Sequence, residues 1–270
     1  MVQHAAASTS PFAGMAAAYA AARPHPPTIL GELLPHLAQT PVPSLVVDIG
    51  CGPGLSTRFW ANNAAQVVGI EPVPEMCQEA IRQTTAPHIA YRAGTGEHTG
   101  LPTGCADIVT CAQALHWMEP QPTFAEVARI TRPGGVFAAY DYEVCPTVGH
   151  WEVQAAHQAL HARATVLEHR LAQGTETLQR AWTKAEHLAR MQASGCFRYT
   201  QELLVHQRDR GNADRLLRLV RTHSSVAQVL KLGLRDADLG LEAFETLVRQ
   251  TLGETLTPWY WSYRVRIGIV

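Results

Sequence analysis

Val46-Val47-Asp48-Ile49-Gly50-Cys51-Gly52-Pro53-Gly54 is a short β-branched run that ends in alternating glycines, and Val67-Val68-Gly69-Ile70-Glu71 follows one predicted strand later. The first run reads as a buried parallel strand entering a loop, because only glycine lets the backbone turn so sharply and approach a ligand so closely. An acid about 20 positions beyond the first glycine, at the tip of the next strand, is where a doubly wound fold places a carboxylate that accepts hydrogen bonds from ribose hydroxyls. The pattern therefore predicts a nucleoside ligand. A dinucleotide loop needs Gly-x-Gly-x-x-Gly so that a helix N-terminus receives the pyrophosphate. Here the third glycine comes one residue early and Pro53 stiffens the turn, which disfavours phosphate.

Further pieces follow in order: Tyr91-Arg92-Ala93-Gly94-Thr95-Gly96-Glu97, Leu101-Pro102, Ala106-Asp107-Ile108-Val109-Thr110, Ala114-Leu115-His116-Trp117, and Glu126 through Gly135 with its Arg132-Pro133-Gly134-Gly135 end. With the Asp-x-Gly-x-Gly-x-Gly loop, this set resembles the class I S-adenosylmethionine-dependent methyltransferases, in particular the small-molecule subfamily typified by trans-aconitate methyltransferase. The resemblance runs from about Phe12 to Tyr142, and weakly again over Arg221 to Ser225 and Trp259 to Val270. It implies a doubly wound, Rossmann-like α/β fold with a mostly parallel seven-stranded sheet, a helical cap, and S-adenosyl-L-methionine as cofactor.

Composition bounds the reading. A chain of 270 residues buries a sizeable core as one domain with an elaboration. Lys+Arg 22 against Asp+Glu 23 leaves no basic face for nucleic acid. The six cysteines show no Cys-x-x-Cys spacing, so they read as reduced thiols of a cytoplasmic protein. No apolar run approaches the roughly 20 residues that span a bilayer. The Ala/Ser-rich start carries Arg23 as its only base before Glu32 and is read as part of the fold, not as a targeting segment.

Strands are expected at 45–49, 66–70, 88–92, 106–111 and 136–141, separated by helices near 54–63, from Pro74, and from Pro122 to Arg132. Two further helices, 10–23 and 28–39, precede them. That alternation specifies a parallel sheet covered on both faces. After Tyr142 the rhythm changes. Residues 150–193 contain no proline and one glycine, and read as one or two long helices. The expected organisation is 1–142 as lid helices plus cofactor core, 143–195 as a helical cap, and 196–270 as the last strands, near 197–206 and 259–269, with helices at 212–232 and 241–252.

Ligands of open α/β sheets sit beyond the carboxyl ends of the strands. By resemblance, Asp48, Gly50, Gly52 and Gly54 cradle the methionine part, Glu71 binds the ribose diol, Thr95, Gly96 and Glu97 meet the adenine, and Gln113 closes the cofactor site. Gly96 stands where the family usually has alanine. The acceptor side is assigned to His116, Trp117, Tyr140 and Tyr142, with Tyr19 and Arg23 from the N-terminal segment and Arg221, Ser224 and Ser225 from the weaker match. His116 is the one candidate general base, since imidazole exchanges protons near neutral pH; its other reading is a ring packed over the loop. The acceptor is a small molecule. A carboxylate oxygen would need no base, whereas a phenol, enol or carbon nucleophile would.

His157 and His161, four apart on a predicted helix with His150 and His169 nearby, lack a convergent carboxylate or thiol and read as surface histidines, so no metal is expected. Two competing functions stay open: a nicotinamide-dependent oxidoreductase, against which the glycine spacing speaks, and a non-catalytic protein of the same fold, against which the intact loop and Glu71 speak.

Overall fold

The computed structural model describes residues 20–172 and 181–270. Tyr19, most of the expected helix 10–23, and the part of the expected cap over 173–180 lie outside the described residues. The described residues divide into two compact units: a sheet unit of 25–142, 181–205 and 263–270, and a helical unit of 20–24, 143–172 and 206–262.

The sheet unit begins with helix α1 (Leu30–Leu37) and strand β1 (Leu45–Ile49). Helix α2 (Leu55–Phe59), β2 (Gln66–Ile70), α3 (Pro74–Gln83) and β3 (Ile89–Arg92) follow. Then come β4 (Ala106–Ala112), α4 (Pro120–Ile130) and β5 (Thr131–Tyr142). The chain closes with α5 (Trp151–Ala172), α6 (His187–Ala193), β6 (Tyr199–Gly211), α7 (Ala213–Arg221), α8 (Ser224–Lys231), the short turn α9 (Asp236–Leu239), α10 (Leu241–Leu252) and β7 (Thr257–Ile269). The sheet order is β3-β2-β1-β4-β5-β7-β6. The first five strands pair in parallel and β7 runs antiparallel to β5. This is the expected α/β fold: buried, β-branched parallel strands form the centre, and helices connect one to the next.

The order changes direction at β1, so the loops after β1 and β4 flank a topological switch point, the place where open α/β sheets bind their ligands. Below it, Val47, Ile49, Val109, Phe124, Val127 and Phe137 belong to one buried cluster.

Three expectations change. The strand predicted for 136–141 starts at Thr131, because Pro133-Gly134-Gly135 pairs with the chain end: Gly134 N–H donates to Val270 O at 2.8 Å and Val270 N–H to Gly135 O at 3.1 Å. Gly134 takes φ +73°, which glycine adopts freely, and lies within β5. The preceding helix correspondingly ends at Ile130, not Arg132. The insertion expected over 143–195 is divided, residues 181–205 falling with the sheet. The reason is apolar packing: Met191 is fully buried in the sheet cluster, and Phe197 stacks on Phe137 with centroids 5.7 Å apart.

Within the helical unit α5 packs against α8 and α10. His157 is not a surface histidine. It lies on the same face of α5 as the buried Val153, Leu160 and Ala164, at 0% exposure, with Nδ1 3.0 Å from Cys145 Sγ. Burial pushes its pKa down to about 4 and that of Cys145 up to about 12, so both are neutral. Among the described residues, no three His, Cys, Asp or Glu side chains converge as metal ligands, and no helix is long and apolar enough to cross a membrane.

Candidate active site

The glycine loop is held by the neighbouring strand: Gly50 N–H and Cys51 N–H both donate to Ile70 O, at 2.8 and 3.1 Å, and Gly54 N–H turns back to Cys51 O at 3.0 Å. Gly50, Gly52 and Gly54 all have positive φ, +67°, +52° and +79°. Their surroundings differ. A Cβ on Gly50 would stand 2.6 Å from Ala114 Cβ and 2.7 Å from Met118 Cε, and one on Gly54 would collide with the Tyr91 hydroxyl, so packing against the protein itself forbids a side chain at both. A Cβ on Gly52 would meet nothing within 4 Å. Of the three, Gly52 alone presents bare backbone to open space at the strand ends.

Two acids support the loop from different places. Asp48 is fully buried beneath it, its oxygens accepting from Thr57 Oγ1 at 2.7 Å, Thr110 Oγ1 at 2.8 Å and Ser56 Oγ at 3.2 Å. Burial lifts its pKa to about 6 although all three hydroxyls oppose the rise. Asp48 thus ties the start of α2 to β1 and β4. Glu71 stands at the end of β2, with Oε2 accepting from Gly52 N–H at 2.8 Å and Oε1 from Val73 N–H at 3.0 Å. Burial raises its pKa, and the two backbone donors partly offset that rise. Each oxygen retains a second lone pair.

After β3, Thr95 forms a tight turn with His98, and Glu97 Oε1 accepts from Glu119 N–H at 3.0 Å, capping the start of α4. Gly96 is buried, and a Cβ there would come within 2.5 Å of Met118 Sδ. The methionine occupies the room that an alanine would need. Met118 therefore abuts both Gly50 and Gly96, and residues 113–118 lie alongside the glycine loop.

Gln113, just past β4, has φ +55°, a strained value for a residue with a side chain. Its Oε1 accepts from Lys184 Nζ at 2.6 Å. His116 is 8% exposed, its ring 4.8 Å from that of Trp117, and its carbonyl accepts from Trp182 N–H at 2.7 Å. Tyr140 differs from its expected part: its hydroxyl is fully buried and 2.5 Å from Ser56 Oγ, on the face that holds Asp48. Alternation along β5 sends Tyr140 to one face and Asp141 to the other. Tyr142 packs edge-on against Tyr263 at 5.8 Å.

Arg23, Arg221, Ser224 and Ser225 fall in the helical unit, which brings the first together with the segment of the others: Arg23 Nη2 donates to Thr222 O at 2.5 Å. Arg221 pairs with Asp236 at 2.7 Å, Ser224 opens α8, and Ser225 Oγ lies 3.4 Å from His161 Nδ1.

Sequence reasoning passed over a chain of ion pairs at the ends of β4 and β5. Lys184 Nζ lies 3.0 Å from Asp141 Oδ1, and Arg266 Nη1 lies 2.7 Å from Asp141 Oδ2. Arg266 and Arg264 then meet Glu202 at 2.9 and 2.8 Å. Burial pushes the Asp141 carboxyl up, but Lys184, His116 and Arg266 outweigh it and hold it below the usual range. Its one signal in sequence is Asp141 inside the apolar run 136–142, since a lone acid in a buried strand needs a cation.

Residues 47–139 match the family model for a methyltransferase domain. A Mycobacterium tuberculosis protein described as an uncharacterized methyltransferase is 35% identical over 125 residues, covering 46% of this chain and 49% of that one. The malonyl-[acyl-carrier protein] O-methyltransferase of Enterobacter lignolyticus is 36% identical over 94 residues, covering 34% and 37%. The chain thus spans half or less of the length of these curated relatives. An Anaeromyxobacter dehalogenans protein described as a candidate type II methyltransferase shares the fold over 92% of this chain and 97% of its own, with a TM-score of 0.66 at 24% identity.

Proposed function

Taking residues 47–139 as a methyltransferase domain of the class I type, we propose that this chain binds S-adenosyl-L-methionine and transfers its methyl group to a small-molecule acceptor. The observation that carries the proposal is the pairing of Gly52 with Glu71: bare backbone opening on the strand ends, held by a carboxylate that keeps one lone pair per oxygen for a diol.

Gly52 and its neighbours would line the methionine part, Glu71 the ribose, and Thr95, Gly96 and Glu97 the adenine edge, with Glu97 limited by its hold on α4. Asp48 acts from below as a positioning residue. When bound, S-adenosylmethionine supplies an activated methyl group on a sulfonium. What the protein adds is position: holding a nucleophile in line and excluding water contributes on the order of 7–11 kcal/mol of barrier lowering. Gln113, His116 and Trp117 follow β4 in the segment whose Ala114 and Met118 abut Gly50, and this supports assigning them to the acceptor side. For an acceptor that must lose a proton, His116 is the available base; a carboxylate would need none. The O-methyltransferase named above is compatible with an oxygen acceptor.

Calorimetry with S-adenosylhomocysteine and with NAD tests the proposal. Saturable binding of the first and none of the second is expected; the reverse would return the fold to dinucleotide chemistry.

A further inference from the structure

Lys184 lies outside the matched methyltransferase segment, in the stretch of chain that returns to the sheet unit. Its ammonium reaches the ends of two strands at once, 2.6 Å from Gln113 Oε1 after β4 and 3.0 Å from Asp141 Oδ1 in β5. Three observations set this lysine apart from an ordinary structural ion pair.

First, Asp141 is shared. Arg266, whose side chain is 2% exposed and which also meets Glu202 at 2.9 Å, holds the other Asp141 oxygen at 2.7 Å, so Lys184 engages a single oxygen of a carboxylate that another cation already holds. Second, the Lys184 side chain is 38% exposed, and an ammonium has three donors, of which Gln113 and Asp141 take two. Third, the backbone beneath it is strained. Gln113 is held at φ +55°, and the next residue, Ala114, is the one that a Cβ on Gly50 would strike. Strain of this kind persists where surrounding contacts hold it, and it gathers at ligand sites. The ammonium therefore stands at the ends of β4 and β5, where ligands of this fold sit, and bonds Gln113, whose chain neighbour Ala114 abuts the glycine loop.

Resting on the methyltransferase reading above, we infer that Lys184 is the specificity-determining residue for the acceptor, and that the acceptor it selects carries an anionic group. A carboxylate or a phosphate would accept the third donor in a charge-assisted hydrogen bond; an ammonium-bearing acceptor would be repelled. Gln113 fixes where the ammonium points, and Asp141 with Arg266 fixes its depth.

Calorimetric titration of the full chain tests this, first with S-adenosylhomocysteine, then at saturation with matched pairs: benzoate and benzamide, succinate and succinamide, phenyl phosphate and phenol. The wild type should bind at least one anion tenfold or more tighter than its neutral mate, the carboxylate and phosphate arms telling which group is read. Lys184→Met should erase that preference and Lys184→Arg should keep most of it. Both variants should hold S-adenosylhomocysteine within threefold of the wild type, which also reports that they fold. No anion bound, equal binding within every pair, or an undiminished preference in Lys184→Met overturns the inference. Failure of the first titration overturns the methyltransferase reading, and this inference with it.

Discussion

Replacing Glu71 by alanine should weaken S-adenosylhomocysteine binding by far more than it weakens the fold. Glu71 accepts Gly52 N–H at 2.8 Å and Val73 N–H at 3.0 Å, which leaves one acceptor direction on each oxygen for the two ribose hydroxyls. A hydrogen bond to a charged group is worth roughly 1.5–3 kcal/mol net, so two of them set a ceiling of about 3–6 kcal/mol. Water refilling the gap returns part of that, and a loss of about 2–4 kcal/mol is expected, roughly 30- to 1000-fold in Kd. The Gly52 N–H also loses its acceptor, so the loop itself loosens. Glu71→Gln separates these effects. It keeps one acceptor oxygen but turns an amide NH2 toward a backbone donor, and its Kd should rise about tenfold. Acidity supplies a second axis. Burial raises the Glu71 pKa, so the charged acceptor is present above that value and is lost as pH falls through it; affinity should begin to drop above the ordinary glutamate range in the wild type and stay flat in Glu71→Gln. Calorimetry reads both. A Kd within threefold of the wild type in Glu71→Ala would refute the ribose assignment and leave Glu71 only as the anchor of its loop.

Gly52→Ala meets no protein atom, so its folding cost should be only the roughly 1–2 kcal/mol of a left-handed alanine, while cofactor affinity falls at least about tenfold; retained affinity would make the loop purely structural. Arg266→Met leaves the buried Asp141 with Lys184 alone and should lower unfolding stability by about 1–3 kcal/mol in urea, and an unchanged stability would contradict the ion-pair chain as a support of the sheet. Asp48 has its pKa raised to about 6 in the fold from 3.8, so its ionised form burdens the native state at neutral pH and that burden is lifted as pH falls through about 6 toward 4. The stability difference between wild type and Asp48→Asn should therefore shift by about 3 kcal/mol in favour of the wild type over that window, and a difference that does not move with pH would argue against burial of the charge.

What could be read from the chain alone was local. Strands at 45–49 and 66–70 and the helix starting at Pro74 follow from β-branched runs, glycine turns and a proline at a helix start, all of them interactions between near neighbours in sequence, and the structure places them at those residues. The same locality made the glycine loop and Glu71 legible, since a turn needing positive φ and an acid at the next strand tip are both written within about 20 residues. Distinguishing Gly52 from Gly50 and Gly54 was not possible there, because the decision lies with Ala114, Met118 and Tyr91, which come from other strands and loops. Pro133-Gly134-Gly135 reads as a helix stop in sequence and becomes strand only because Val270 pairs with it from the far end of the chain. Tyr140 was assigned to the acceptor by its place at the end of a strand, and the alternation of the sheet turned it to the opposite face, onto Ser56. Lys184 carried no signal among exposed-looking helical residues. It acquires one when residues 181–205 fold back on the sheet through Met191 and Phe197 and bring its ammonium to Gln113 and Asp141. Backbone propensity and turn chemistry act over a few residues and so can be read from order alone, whereas charge compensation and steric exclusion depend on which distant residues meet, and only the tertiary fold decides that.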